Sequence, residues 1–558
     1  MNNIKLDDPK LFGNLAAEDE DIDLLDSYFV DKSVYDYFRS EDKLWIVRAK
    51  KGMGKSALLK KVAYEKVNAN QDDIVIQIKG SDLIKNNFPQ TLDVQQLIYI
   101  WQSAICSRIT AEIGKNLSLA LTDDTITMVE NSELEGFKEK NIIGCLVERL
   151  KRKVGKIELD KPKMENPLAL LERYQQKKDR RVWFFIDDID ATFNNSQEET
   201  KRLSSFFTAC RYLIQEVNGL FIRASIRTDV WTVIADEDEA LDKVDQPQYM
   251  MDLSWSEDEV ENIIANRIKS YIIAHVKNHN KYGYIKNNFD DPRKIEYIMN
   301  EIFKPILPWG KGKRKPAVVI YTLSNRRPRW AIHLCSFAGK AAIKKGKDKI
   351  GIYELKANLE EYGKRRITDI VREHQHQSPN IREFINIFAK KQVRYTTEEL
   401  LDLIKNNIIS KMQPSIEGVI GDPNEMDIAY FLFRMGFITA REELTNDEYK
   451  HHHFEDDHTL LNSQIDPDKG FTWEIHPSFR DALKISDIKS NQKIGKVTNF
   501  YNDKGYGFLE TEKEKSIFVH YSEINKRGYK SLSMGENVSF TIISTPKGLQ
   551  AKNVKILN

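Results

Sequence analysis

Between residues 43 and 255, short apolar runs alternate with longer stretches whose apolar residues recur at helical spacing. "KLWIV" (43–47), "DIVIQI" (73–78), "RVWFFIDDID" (181–190, ending in acids) and "GLFIRASIR" (219–227) predict four buried strands. "YMMDLSW" (249–255) predicts a fifth. "GKSALLKKVAYEKV", much of 92–178 and about 197–217 predict the intervening helices. Strands that alternate with helices imply a mainly parallel sheet covered on both faces. After Ser256 the pattern turns helical. Ser256 and Glu259 stand three apart as a capping box, and helices continue to about 374 around a basic stretch, "WGKGKRKP" (309–316), that reads as a loop. Helices followed by "FTWEIHPSF" (471–479) fit a winged-helix-like region over 378–485. "ISDIKSNQ" (485–492) reads as a linker, and the remainder is strand-rich with glycine-containing turns. The expected division is an α/β core (1–255), a helical lid (256–377), the winged-helix-like region (378–485) and a small all-β barrel (493–558).

A chain of 558 residues has room for roughly three to five domains. Its charged fraction is 30%, yet the net charge is only +1, so no global field draws it onto a polyanion. The charge is uneven. Residues 493–558 hold 11 Lys and Arg against 6 Asp and Glu, giving +5 there and −4 on the rest. Cys106, Cys145, Cys210 and Cys335 are far apart with no CxxC pair, which argues against a disulfide framework or a zinc ribbon. The opening "MNNIKLDDPK" lacks an apolar core, and no apolar run approaches the roughly 18 residues of a membrane span. A reduced, cytoplasmic protein without a membrane partner is expected.

The most specific chemistry lies in Ala49-Lys50-Lys51-Gly52-Met53-Gly54-Lys55-Ser56, followed by Ala57. The run follows a strand and opens a helix, the context a phosphate-binding loop requires. Gly52 and Gly54 allow backbone N–H groups to curl around a phosphate. Lys55 reaches the β- and γ-phosphates, and Ser56 offers a hydroxyl to Mg²⁺. Downstream, "VWFFIDDID" puts Asp187 at the carboxyl end of a buried strand, where an acid holds the Mg²⁺ shell. Asp188 is then placed to orient or deprotonate the attacking water, with Asp190 nearby. Arg227 follows the fourth strand and reads either as a γ-phosphate sensor or as a surface arginine paired with Asp229. Arg326, Arg327 and Arg329 surround Pro328, which starts a helix. Arg329 reads either as a lid residue reaching the nucleotide or as a lid-surface ion pair.

"AEDEDIDLLDSYFV", "RAKKGMGKSALL", "FFIDDID", "IRTDVW", "LSWSEDEVENIIANRI" and "RRPRWAI" occur in an order that resembles the AAA-like and STAND/KAP groups of P-loop ATPases. Among these, the chain is most similar to the bacterial Sll1717-type family, over about residues 10–345. The resemblance implies ATP as nucleotide, nucleotide-driven homo-oligomerisation and a switch-like role, in several relatives within antiviral defence. Many hydrolysing ring ATPases carry Glu where this chain has Asp188, so slow turnover is expected. Any destructive chemistry would belong to an effector protein partner, because no nuclease motif is visible.

Residues 493–557 resemble a cold-shock domain through "GKVTNFYNDKGYGFL", "SIFVHYSEI", "MGENVSF" and "KGLQAKNVKIL". The resemblance implies a five-stranded OB-fold barrel that binds single-stranded RNA or DNA. Phe500, Tyr506, Phe508, Phe518, His520 and Tyr521 would form its stacking surface, with Lys496, Lys504 and Lys526 along the phosphates. Where that family has Lys-Trp-Phe, this chain has Thr498-Asn499-Phe500, so weaker binding, or a barrel recast as a docking module, is also open. "YKHHHFEDDH" (449–458) lacks recognised metal-ligand spacing and reads as a solvated loop, and His476 reads as core or wing. The functional expectation is a nucleotide-switched ATPase whose barrel senses single strands. A nucleic-acid translocase or loader, and a nucleotide-dependent oligomeric scaffold, are the alternatives.

Overall fold

The computed structural model describes the chain except residues 1–3, 17–18, 84–92, 117–126, 130–131, 133–165, 179, 195, 238, 288–292, 311, 420, 445–448, 462–469, 486–491, 512–513, 515, 527–529, 546–547 and 558. The expected linker and Cys145 therefore lie mostly or wholly outside the described residues.

Five strands form the first sheet: β1 (Leu44–Ala49), β2 (Ile74–Lys79), β3 (Val182–Asp187), β4 (Leu220–Arg227) and β5 (Met250–Asp252). Their order is β2-β3-β4-β1-β5, and every pair is parallel. The fifth strand is shorter than "YMMDLSW" suggests. Side chains alternate between faces, as the pleat requires. Trp45, Val47, Trp183, Phe185 and Phe221 enter one core, whereas Leu44, Ile46, Phe184, Ile186 and Ile222 enter the other. Helices Val94–Asn116, Pro167–Lys178 and Gln197–Glu216 cover the second face. The parallel register brings the carboxyl ends to one edge, with Ala49 beside Arg227 and Lys79 beside Asp187. Crevices at such an edge are where α/β sheets bind ligands.

The first core continues without a break into the helices that follow. Ser256 caps helix Glu257–His275 with Glu259 in the expected reciprocal box. Helix Pro328–Lys344 begins at the proline, and helix Leu359–His374 packs beyond it. The basic stretch is not a loop. β6 (Leu307–Trp309) and β7 (Gly312–Arg314) form an antiparallel hairpin, each strand too short to display alternation.

β8 (Arg394–Tyr395), β9 (Ile438–Glu443), β10 (Tyr449–His452) and β11 (Thr472–Ile475) form an antiparallel sheet in the order β10-β9-β11-β8. It packs with helices Thr397–Ile404 and Glu425–Arg434 in the same core. The histidine-rich segment starts as β10 rather than a solvated loop. Its imidazoles are half-buried against carboxylates: His451 Nε2 is 2.5 Å from Glu474 and His452 Nε2 is 2.8 Å from Glu442. No group of metal-ligating side chains is present among the described residues. His476 is core, buried where its Nδ1 meets the Ser478 hydroxyl at 2.8 Å.

The last five strands close a barrel with its own core: β12 (Gln492–Tyr501), β13 (Tyr506–Glu510), β14 (Ile517–His520), β15 (Asn537–Thr545) and β16 (Gly548–Ile556). Among the described residues no helix is long and apolar enough to cross a membrane. Cys106, Cys210 and Cys335 are buried free thiols.

Candidate functional sites

A cavity of about 410 Å³ opens where the carboxyl edge of the sheet meets the lid. Lys51 to Ala57 form one wall. Gly52 and Gly54 have φ of 83° and 101°, a region that L side chains rarely enter, so the curl of the loop depends on them. Gly54 caps helix Lys55–Ala69 without a side-chain hydrogen bond. The first-turn N–H groups and the positive end of that helix are thereby left for an anion. The opposite wall is apolar and comes from the acidic N-terminal segment and the lid: Leu25, Phe29, Val30, Tyr35, Ile263 and Ile332. A phosphate-sized polar end and an apolar end fit a nucleotide, and Ser56 with the nearby acids offers the oxygen donors Mg²⁺ takes.

Lys55 is folded into the cradle. Its ammonium donates to the Ala49 carbonyl at 2.8 Å and the Lys50 carbonyl at 3.4 Å. Burial pushes its pKa down, against the pull of Asp190, Asp229 and Asp188. Asp188 adopts φ 52°, a strained choice for a non-glycine residue, and this turns it into the cavity at the end of β3. The turn is fixed by the Asp188 N–H, which donates to Ser225 Oγ at 3.2 Å and Asp187 Oδ1 at 3.1 Å. Ser225 Oγ in turn donates to Asp187 Oδ1 at 2.5 Å. Ser56, Asp188 and Asp190 thus line the cavity, and Asp187 stands behind, oriented by Ser225.

Arg227 also lines the cavity, and its partner is not chiefly Asp229. Its Nε donates to Asp190 Oδ2 at 2.7 Å, and its backbone N–H reaches the same oxygen at 3.2 Å. Asp229 Oδ2 is 3.9 Å away. Burial pushes the Asp229 carboxyl up to about 7 despite Arg227, and His376 Nε2 lies 3.5 Å from it.

Four groups beyond the loop hold its backbone. Trp255 Nε1 donates to the Met53 carbonyl at 2.7 Å. The Arg329 N–H donates to the Gly52 carbonyl at 3.2 Å, and its side chain packs over Gly52 within the cavity. The Arg329 guanidinium is thus a cavity group rather than a lid-surface ion pair, its Nε donating to the Leu15 carbonyl at 3.0 Å. Arg327 and Glu373 form a fully buried pair, Nη1 to Oε2 at 2.6 Å, that grips Lys51 from both sides. Glu373 accepts the Lys51 N–H at 3.1 Å, and Arg327 donates to the Lys51 carbonyl at 3.2 Å. Burial would raise the Glu373 pKa, but the Arg327 charge holds it well below the usual carboxylate range. Lys50 reaches the other way, to Glu455 in the segment after β10 and to the carbonyl of Arg434, the last residue of helix Glu425–Arg434. Sequence reading missed Trp255, Glu373 and Glu455. Only Trp255 carried a local signal, standing next to the capping box.

The barrel presents the second site. In the β13–β14 register Tyr506 lies across from His520 and Phe508 across from Phe518, while Gly507, Leu509, Ile517 and Val519 point inward. The Tyr506 and Phe518 rings are 5.7 Å apart and nearly parallel, and Phe508 meets Phe518 edge-on at 6.0 Å. Tyr521, exposed, lies 4.5 Å from His520. Phe500 does not join this wall: it is paired in register with Gly507, on the inward face of the strand, and packs against the barrel core. Tyr501, absent from the predicted set, joins the wall: 43% exposed, 5.5 Å from Tyr506, with the Lys504 ammonium 5.9 Å from its ring. Lys496 does not join this group. It is paired in register with Glu510, at the other end of the shared ladder from Tyr501 and Tyr506. The strand bulges between Val497 and Asn499, and Thr498 Oγ1 is turned onto the Phe508 carbonyl at 2.8 Å.

Residues 493–557 match the model of the 'Cold-shock' DNA-binding domain. Over 62 residues the chain is 48% identical to cold shock protein CspA of Staphylococcus saprophyticus, which covers 11% of this chain and 94% of that protein. Over 60 residues it is 50% identical to cold shock protein CspB of Geobacillus stearothermophilus, covering 11% and 91%. Among solved structures, the chain overlaps Cdc6p from Pyrobaculum aerophilum (TM-score 0.30, 11% identity, 86% of this chain and 98% of that one). It also overlaps the ORC2 protein of Aeropyrum pernix in its ADPNP–ADP complexes (TM-score 0.37, 11% identity, 85% and 96%). Overlaps of that size are too slight to bear on function.

Proposed function

The C-terminal residues 493–557 belong to the cold-shock domain family, and from that premise we propose that the chain is a nucleotide-switched ATPase whose barrel senses single-stranded RNA or DNA. The observation that carries the nucleotide half is the cavity at the sheet edge, where the glycine-curled loop, Lys55, Ser56, Asp188 and Arg227 converge beside an apolar wall. ATP enters with its base against Phe29 and Val30 and its phosphates in the loop. Lys55 then leaves the Ala49 and Lys50 carbonyls for the phosphate oxygens. Asp188, held in place by its strained turn, orients the attacking water and accepts its proton. Arg227 exchanges Asp190 for the γ-phosphate and balances the charge of the leaving group. Ser56, with Asp187 behind it, would hold Mg²⁺, which would supply charge neutralisation on the phosphates.

The latch on Arg227 and the short Asp188 side chain favour a switch over a motor. Lys50 and the Arg327–Glu373 pair tie the phosphate loop to the lid, to helix Glu425–Arg434 and to the segment after β10, which gives nucleotide state a physical route to those regions and to assembly of copies. A destructive output in antiviral defence, if the chain serves there, falls to an effector protein partner.

Steady-state phosphate release tests the catalytic half. Lys55→Ala abolishes turnover, and Asp188→Ala lowers it at least about 100-fold, the usual weight of a positioned base. Unchanged turnover in Asp188→Ala sinks the assignment.

A further inference from the structure

The β6–β7 hairpin gathers a second basic surface. Leu307 is buried beneath it, whereas Lys313, Arg314 and the following Lys315 are exposed. Thirty residues on, the end of helix Pro328–Lys344 and its connection carry "KKGKDK" (344–349), and the two segments are bound together. Phe303 bridges Ile350, the Lys304 N–H donates to the Ile350 carbonyl at 2.9 Å, and the Ile350 N–H donates to the Ile302 carbonyl at 2.7 Å. The Lys304 side chain lies against Gly351. Helix Ile352–Lys356 completes the face, its Lys356 ammonium 5.4 Å from the Trp309 ring.

Some of these cations have local reasons. Lys344 and Lys345 end a helix, where positive charge complements the free carbonyls. Lys349 donates to the Asn300 carbonyl at 2.7 Å, and Lys315 meets Glu296 at 3.3 Å. Lys356 faces the Trp309 ring and the charge of Asp481, whereas Lys304, Lys313, Arg314 and Lys347 are exposed, and among the described residues none of these four is in an ion pair. Tyr353 and Ile306 stand exposed on the same face, at 75% and 57%. One exposed carboxylate, Asp348, stands among these cations, so the face keeps a net positive charge on a chain whose net charge is only +1.

We propose that this face holds the phosphate backbone of a double-stranded nucleic acid. Its cations sit on a hairpin and a helix end, at fixed places and without the stacked aromatic wall that a single strand needs. A duplex presents about one phosphate charge per 1.7 Å of axis, the densest match for scattered lysines. The barrel would then take single strand while the lid takes adjoining duplex.

The test uses the full chain with the barrel silenced by Phe508→Ala and Phe518→Ala. Fluorescence anisotropy follows a labelled mixed-sequence duplex of about 24 base pairs between about 50 and 200 mM salt. The duplex binds, and the further exchange of Lys313→Glu, Arg314→Glu and Lys347→Glu weakens it at least about 10-fold. The same exchange lowers the log–log salt slope by about 2 to 3, near 0.9 per lost phosphate contact. Lys313→Ala with Arg314→Ala lowers the slope by about 2, and unchanged melting temperatures confirm that the variants fold. Duplex affinity and slope that survive charge reversal overturn the proposal. So does tighter binding of poly-L-glutamate, which would make the face a site for acidic protein, or of a single strand of equal length.

Discussion

Glu373→Gln removes one charge from a pair that water does not reach. The two side chains are 2% and 0% exposed, so the Arg327 guanidinium keeps its burial and loses its counter-charge. Breaking one side of such a pair destabilises by about 3–5 kcal/mol. Unfolding entropy near 2.1 cal/mol/K per residue, over the roughly 480 residues ahead of the barrel, comes to about 1 kcal/mol/K. The melting temperature of that unit therefore falls by about 3–5 °C, read by scanning calorimetry. Arg327→Met in addition removes the stranded charge and restores more than half of the loss. The glutamate's pKa is depressed, so its contribution is complete above the ordinary carboxylate range and fades only as the pH drops through the depressed value. Between pH 6 and pH 8 Glu373 itself does not titrate, so the deficit changes there only through Asp229, whose carboxyl the Glu373 charge helps to hold at about 7. A shift below about 1 °C in Glu373→Gln would show that the Lys51 carbonyl alone satisfies Arg327, and the clamp would lose its energetic meaning.

Other outcomes follow from the same contacts. Asp190→Asn frees Arg227 of a charge-assisted hydrogen bond of about 1.5–3 kcal/mol, so isothermal titration should find ATP bound about 10-fold tighter and ADP unchanged; equal gains for both nucleotides would remove the γ-phosphate from the explanation. Phe518→Ala weakens single-strand binding by about 1–3 kcal/mol in anisotropy titrations, and Tyr501→Ala does so to a similar degree, whereas Lys496→Ala changes it little. His374 and His476 are fully buried, and burial holds the first at about 3 and the second well below the usual imidazole value. The unfolded chain takes up their protons first, so stability is lost as the pH falls below about 6.5, by about 4 kcal/mol for the two together at pH 5. A melting temperature that stays flat from pH 7 to pH 5 would contradict that reading.

The elements that carry strong periodicity were legible: β1 to β4, the capped helix at Ser256 and the helix beginning at Pro328 all lie where the residues place them. So did the phosphate loop, since its chemistry is local. The hairpin at Leu307–Arg314 was not, because three-residue strands show no alternation and its cations look like any polar turn. β10 was hidden for a related reason: its histidines face Glu442 and Glu474, so a polar strand satisfied by carboxylates leaves no apolar signature. The grip on the phosphate loop was invisible in principle. Glu373 stands 322 residues from Lys51 and Trp255 stands 202 from Met53, and nothing in either neighbourhood names the other. In the barrel, register decides what composition cannot: it brings Tyr501 to the aromatic wall and leaves Lys496 beside Glu510.

The account rests on a link between the barrel and the cavity, and steady-state ATP hydrolysis with and without single-stranded RNA or DNA measures it directly. Turnover should rise when the strand is added, and Phe508→Ala should lose that rise while keeping its basal rate. Turnover that is indifferent to the strand, or a rise that survives Phe508→Ala, would contradict it.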